Sequence, residues 1–309
     1  MRVVVAGGSG LIGRALVSSL AADEHDVVVL TRRPQRVAAQ LPQGVRIVGW
    51  DPAAPSPDLP LLLANATAVV NLCGASVGRW PWTGRRRQAL RDSRLQPTHA
   101  LVDAIAALPP SEWPAALLNA SGSDFYEGRD EQPATEQTPP TGTFLARLCS
   151  EWEGAARRAE ELDVRVVLLR PSLVLAPRAP ALERLALPVR LLLGGRLGSG
   201  RQWVSWIALE DAVGLLRRAI VGWDIDGPLN LVAPGQVRQS EFVGLLARVL
   251  RRPARLPMPA WLVRLVLGRQ STLVLGSRRV APAKALASSY QFRMTDLEVA
   301  LRNALGRPA

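Results

Sequence analysis

The sequence predicts an α/β protein: a doubly wound parallel sheet with a smaller, mainly helical C-terminal lobe. Three observations predict it. A strand, a glycine turn, a helix and a second strand fill the first 33 residues, strand and helix signals then alternate as far as Pro171, and beyond Pro171 the rhythm breaks into Pro-, Gly- and Leu-rich sequence. Alternation of this kind is the pattern of βαβ units in a parallel sheet.

The first element is the β-branched run Arg2-Val-Val-Val-Ala6, followed by Gly7-Gly-Ser-Gly-Leu-Ile-Gly13. Gly7, Gly10 and Gly13 stand at G-x-x-G-x-x-G spacing: the first allows a tight turn, the second lets backbone approach a pyrophosphate, and the third packs helix on strand. The helix Arg14 to Ala22 presents its N-terminus to that negative charge. This loop, between a strand and a helix, predicts a bound dinucleotide, with Gly7, Gly10, Leu11, Ile12 and Gly13 as its contacts. The second strand, from Asp26, ends in Thr31-Arg-Arg33. An acidic residue there accepts from the ribose hydroxyls of NAD, whereas two guanidinium groups suit a 2′-phosphate. NADP(H) is therefore the expected cofactor, with Arg32 the first choice for the phosphate and Arg33 the second.

Later strands are expected at Val45 to Trp50, Ala68 to Leu72, Ala116 to Ser121 and Val164 to Leu169, with helices near Gly84 to Leu108 and Thr143 to Leu162. The Pro-rich segments Ala53 to Pro60 and Gln132 to Pro140 read as surface loops. Residues 1–170 rejoined by 204–232 form the expected nucleotide-binding domain, and 171–203 with 233–309 a small substrate lobe. No internal repeat is visible.

Composition bounds the function. At 309 residues and 48% apolar content the chain can bury a large core. The net charge of +12 does not point to nucleic acid, because basic residues run along the chain with Arg85-Arg86-Arg87 the only triplet, and 37 of the 38 are arginine. Cys73 and Cys149 give neither a disulfide framework nor metal-ligand spacing, which fits a reducing cytoplasm and no metal. A strand at residue 2 leaves no room for a secretory signal, and the apolar stretch Leu256 to Gly276 is interrupted by Pro257, Pro259, Arg264 and Arg269. No membrane association is expected; that stretch reads as helix packed on the small lobe.

Val5-Ala-Gly-Gly-Ser-Gly-Leu-Ile-Gly13, Val70-Asn-Leu-Cys-Gly74, Arg91-Asp-Ser-Arg94, Asn119-Ala-Ser121, Phe125-Tyr126, Gly198-Ser-Gly-Arg-Gln-Trp-Val-Ser-Trp-Ile207 and Gly227-Pro-Leu-Asn230 together resemble the epimerase-like atypical short-chain dehydrogenase/reductase family. Bacterial members are often labelled nucleoside-diphosphate-sugar epimerases or cell-division inhibitors. The resemblance covers nearly the whole chain. It implies a Rossmann sheet, adds Leu72 and Gly74 to the cofactor contacts, and aligns Ser121 with the superfamily serine that hydrogen-bonds a substrate carbonyl. It also implies a monomer or a homodimer, joined through the two long helices.

The superfamily works through Ser and a Tyr-x-x-x-Lys pair, which this chain cannot form. Its only tyrosines are Tyr126 and Tyr290 and its only lysine is Lys284. Leu145 and Cys149 fall at the two places. Tyr126, on a loop at the carboxyl end of a parallel strand, is the remaining phenol near Ser121, and to act as a base it needs Arg94 or Arg201 close by. Ser121 and Tyr126 are thus the expected catalytic residues, and Arg94, Arg201 and Trp206 the expected substrate residues, a guanidinium beside an indole suiting an anionic or planar ligand. The family commonly has a His after Trp206-Ile207, where this chain has Ala208. The expected function is an NADP(H)-dependent oxidoreductase or epimerase-like protein acting on a small molecule. The alternative is a non-catalytic NADP(H)-binding sensor.

Overall fold

Runs of valine set the centre of the sheet. In the computed structural model, which describes residues 1–307, seven strands align: β1 (Arg2–Ala6), β2 (Asp26–Thr31), β3 (Arg46–Gly49), β4 (Ala68–Asn71), β5 (Ala116–Ala120), β6 (Arg165–Pro171) and β7 (Gly227–Leu231). They form one sheet in the order β7-β6-β5-β4-β1-β2-β3, every neighbouring pair parallel. Val4 pairs with Val28 on one side and Val69 on the other. The chain winds outward through β2 and β3, then returns to lay β4 against the opposite edge of β1. Ligands of such sheets bind in the crevice at that switch, outside the carboxyl ends of the strands.

Both sheet faces are covered, which is why the strands read as continuous apolar runs rather than alternating ones. The α-helices of eight or more residues are α1 (Leu11–Ala22), α2 (Gly84–Ala106), α3 (Phe144–Arg157), α4 (Pro180–Arg190), α5 (Leu209–Val221), α6 (Gln239–Leu250), α7 (Ala260–Leu267) and α8 (Leu297–Ala304). Leu16, Val17 and Leu20 of α1 join Leu215 and Leu216 of α5 on the face carrying Val3, Val5 and Val29. Leu101 and Ile105 of α2 and Ala156 of α3 cover the other face against Val4, Val28 and Leu117. A third core lies apart from the sheet, where Leu182 of α4, Phe242 and Leu246 of α6 and Leu301 of α8 meet Trp206.

Local signals set the helix ends. Thr83 and Thr143 cap α2 and α3 by accepting from the N–H groups of Arg86 and Ala146. The helix expected over Thr143 to Leu162 is α only to Arg157 and tightens into a 3-10 turn over Arg158–Leu162. One expectation is corrected: Gln132 to Pro140 is not all loop, because a strand runs over Arg129–Ala134 and pairs in parallel with Arg278–Val280. Pro133 concealed it. Proline is excluded from central strands, yet it is tolerated in a two-stranded pairing whose register shifts between Arg278 and Val280.

Candidate functional site

The glycine turn is built by close approach. Gly7 has φ +82°, and a Cβ there would sit 2.6 Å from the Leu72 carbonyl carbon; a Cβ on Gly13 would sit 2.5 Å from the Gly7 oxygen. Gly10 donates its N–H to the Gly7 oxygen at 3.0 Å. No side chain caps α1, and its first turn holds no acidic residue. The N–H groups of Leu11 and Ile12 are therefore left for an anion.

At the end of β2, Arg32 and Arg33 are exposed. The Arg33 N–H is tied to Thr31 Oγ1 at 3.3 Å. Burial pushes the Cys73 thiol, just past β4, up to about 12, and the Arg32 charge acts against that rise. The Arg32 charge is thus felt at Cys73, whose backbone N would lie 2.9 Å from a Cβ on Gly7.

Beneath this turn a buried polar cluster ties β4, β5, α2 and α3 together. Asn71 Nδ2 donates to Thr98 Oγ1 at 2.9 Å and to Asn119 Oδ1 at 2.7 Å, and Trp152 Nε1 donates to Thr98 Oγ1 at 2.9 Å. Arg94 lies over the Trp152 ring, 5.1 Å from its centroid, and donates to the carbonyls of Leu90 at 2.9 Å and Ala75 at 3.3 Å. Its guanidinium carbon is 3.6 Å from where a Gly74 Cβ would be, so a larger residue at 74 would press on it. Arg91, one turn away, pairs instead with Glu151 at 2.7 Å on the surface.

Ser121 follows β5 and is nearly buried. Its Oγ donates to Glu153 Oε1 at 2.6 Å. The same carboxylate takes two bonds from Arg170, Nε to Oε1 and Nη2 to Oε2, each 2.7 Å. Arg170 Nη1 also donates to the Tyr126 hydroxyl, which donates in turn to Asn230 Oδ1 at 3.0 Å. The two expected catalytic residues are therefore joined through an internal ion pair. Glu153 and Arg170 carry it, and the sequence reading missed both, although a lone arginine closing the apolar strand Val166-Val-Leu-Leu169 is a signal for a buried carboxylate.

Tyr126 is corrected from an expected catalytic phenol on a loop to an interior residue. It is fully buried, and burial pushes its phenol up to about 12, outweighing the opposing pull of Arg170. The arginine beside it is Arg170, not Arg94 or Arg201. Cys149, in the place of the superfamily lysine, is also buried, its thiol pushed up to about 12 by burial and by Asp124 and Glu153. Both groups are therefore held protonated at neutral pH. Because Tyr290 is raised as well, chiefly by burial, the folded protein is expected to show no phenolate absorbance at pH 10, where a free tyrosine is half ionised. The folded state holds these protons more tightly, so the stability they contribute is complete below about pH 10 and is lost as pH rises toward 12. Phenolate appearing near pH 10 before unfolding would overturn this.

Trp206 is corrected too: it is fully buried in the third core, its indole N–H bound to the Gly235 oxygen at 3.0 Å. It cannot face a ligand. Arg201 is exposed and its carbonyl accepts from Arg238. The indole held between cations in this segment is Trp203, with Arg238 at 3.9 Å and Arg279 at 4.3 Å from its centroid. Among the described residues no group of His, Cys, Asp and Glu is placed to hold a metal ion, and no helix is long and apolar enough to cross a membrane.

Residues 3–224 match the model of the NAD dependent epimerase/dehydratase family, and residues 258–304 match a domain of unknown function, DUF1731. The chain is 38% identical over 309 residues to Epimerase family protein Mb2239 of Mycobacterium bovis, covering 99% of this chain and 98% of that one. Human epimerase family protein SDR39U1 (isoform 2), solved with NADPH, superposes with a TM-score of 0.85 at 32% identity, covering 99% of each chain. UDP-glucuronic acid 4-epimerase of Bacillus cereus, with a TM-score of 0.80 at 17% identity over 99% of this chain and 98% of that one, shares the fold.

Proposed function

This chain belongs to the NAD dependent epimerase/dehydratase family, and from that premise we propose that it is an NADP(H)-binding oxidoreductase or epimerase-like enzyme acting on a small molecule without the Tyr-x-x-x-Lys pair. The division of labour proposed is a nucleotide-binding part, residues 1–170 with 204–232, and a substrate lobe, 171–203 with 233–309, in keeping with the separate cores. Two free cysteines fit a reducing, cytoplasmic setting.

The observation that carries the reading is the glycine turn opening on uncapped N–H groups, with exposed Arg32 at the neighbouring strand end. The residues fit the cofactor: Gly7, Gly10 and Gly13 leave room for a pyrophosphate, Leu11 and Ile12 donate to it, Leu72 and Gly74 line the β4 side, and Arg32, with Arg33 beyond, binds the 2′-phosphate. Bound there, NADP(H) would supply or accept hydride at its nicotinamide. Ser121, its own proton held by Glu153, keeps only acceptor capacity and so would accept from a substrate hydroxyl rather than donate to a carbonyl. Arg94 places positive charge beside the same strand ends. Tyr126 acts only through Arg170, as a positioning residue.

Calorimetric titration with NADPH and NADH, followed by absorbance of the reduced cofactor against carbonyl compounds, tests the proposal. Oxidation by a carbonyl supports an enzyme; tight NADPH binding with no turnover across carbonyls and alcohols would leave a non-catalytic NADP(H) sensor. Arg32→Ala is expected to weaken NADPH about 10- to 100-fold, the worth of a charge-assisted contact, while NADH binding stays level. Equal losses for both would remove Arg32 from the phosphate site.

A further inference from the structure

Basic residues run the length of the chain, but acidic ones do not. Between Glu241 and Asp296 stand ten basic residues and no acidic one. Arg248, Arg278 and Lys284 find carboxylates elsewhere, in Glu298, Asp124 and Asp226. Arg251, Arg252, Arg255, Arg264 and Arg269 are exposed.

The same stretch holds α7, whose polarity is inverted. Of its eight residues only Val263 is buried, while Trp261 is 66% and Leu265 74% exposed. Trp261, Arg264 and Leu265 are i, i+3 and i+4, hence one outward arc. Leu256, joined by its N–H to the Gly194 oxygen, brings the end of α4 alongside, and Leu191 and Leu193 are there more than half exposed. The expectation that Leu256 to Gly276 packs on the small lobe is thus corrected: the outer face of α7 is open, and beyond it Gln270 donates to the carbonyls of Val77 and Arg79, just before α2.

We propose that this face, Trp261 and Leu265 with Leu256 and the leucines after α4, docks on an anionic lipid bilayer. Charge complementarity selects the occupant. An apolar protein partner would leave the arginines with no acidic counterpart, and a polyanion in water would leave Trp261 and Leu265 exposed. Anionic headgroups over acyl chains satisfy both: Trp sits at the headgroup level, leucine enters the acyl boundary, and arginine extends to phosphate. Each arginine near such a surface is worth about fivefold in partitioning. Attachment is peripheral, since α7 is far too short to span.

The test is flotation of the full-length protein with vesicles of phosphatidylcholine alone and of phosphatidylcholine mixed with phosphatidylglycerol. The expected result is flotation with the mixed vesicles only, weakened by salt, and abolished in Trp261→Ser/Leu265→Ser with an unchanged melting temperature. Should that variant misfold, Arg255→Gln/Arg264→Gln carries the test, with an expected loss of about 25-fold. No flotation with mixed vesicles, equal flotation with neutral ones, or flotation of the folded variant like its parent would overturn the proposal. So would a dimer, seen by light scattering, that Trp261→Ser/Leu265→Ser converts to monomer, because a second copy would then cover the face.

Discussion

Glu153→Ala is expected to lower the stability of the folded chain by about 3–5 kcal/mol, seen as a fall in denaturant midpoint. The size follows from what is left behind. Arg170 is 3% and Glu153 5% exposed by side chain, so removing the carboxylate strands a guanidinium that water does not reach. Its remaining partners are all neutral: the Tyr126 hydroxyl, the Glu136 carbonyl at 3.4 Å and the face of the Phe125 ring, its centroid 3.7 Å from the guanidinium carbon. Ser121 loses its acceptor at the same time. The pair itself is not the source of that stability, because burying two ions offsets most of their attraction. Glu153→Met/Arg170→Met should therefore recover most of the loss, since neither member of the pair is then left buried without its partner. A single-variant loss below about 1 kcal/mol, the value of an exposed pair, would show that water reaches this network.

What the sequence made legible is local chemistry. The glycine turn, the valine strands and the threonine caps are each specified by residues within a few positions of one another, so β1, α1 and β2 stand close to where the pattern put them, α1 starting at Leu11 rather than Arg14 and β2 ending at Thr31. The ion pair is different in kind. Glu153 is an ordinary acidic residue on a helix, Arg170 the last charged residue of a strand, and Tyr126 a loop phenol; only packing α3 against β5 and β6 brings them together. Trp206 shows the same limit from the other side. Its motif, Arg-Gln-Trp-Val-Ser-Trp, offers two tryptophans three positions apart along β-type backbone; which one is buried and which is held between Arg238 and Arg279 depends on the third core, assembled from α4, α6 and α8. Pro133 hid a strand because its partner lies more than 140 residues later.

Gly13→Ala is expected to reduce both stability and nucleotide affinity, and Gly10→Ala affinity alone. A methyl at Gly13 meets the Gly7 oxygen at 2.5 Å and the Gly8 Cα at 2.8 Å, backbone on both sides. Neither can swing aside, so α1 must shift away from β1, which costs about 1–3 kcal/mol. That shift also moves the N–H groups of Leu11 and Ile12. Losing two charge-assisted bonds weakens NADPH by about 100-fold or more. At Gly10 the added Cβ is 3.4 Å from the Gly7 oxygen, a tight contact that small relaxation relieves, and the melting temperature should stay near that of the parent. The methyl then occupies the side from which a pyrophosphate approaches α1, so calorimetry with NADPH should register the loss that melting does not. If both variants bind NADPH like the parent, the loop is a structural turn and the cofactor proposal fails. If Gly10→Ala destabilises as much as Gly13→Ala, the approach of helix to strand is governed at a different residue than the geometry indicates.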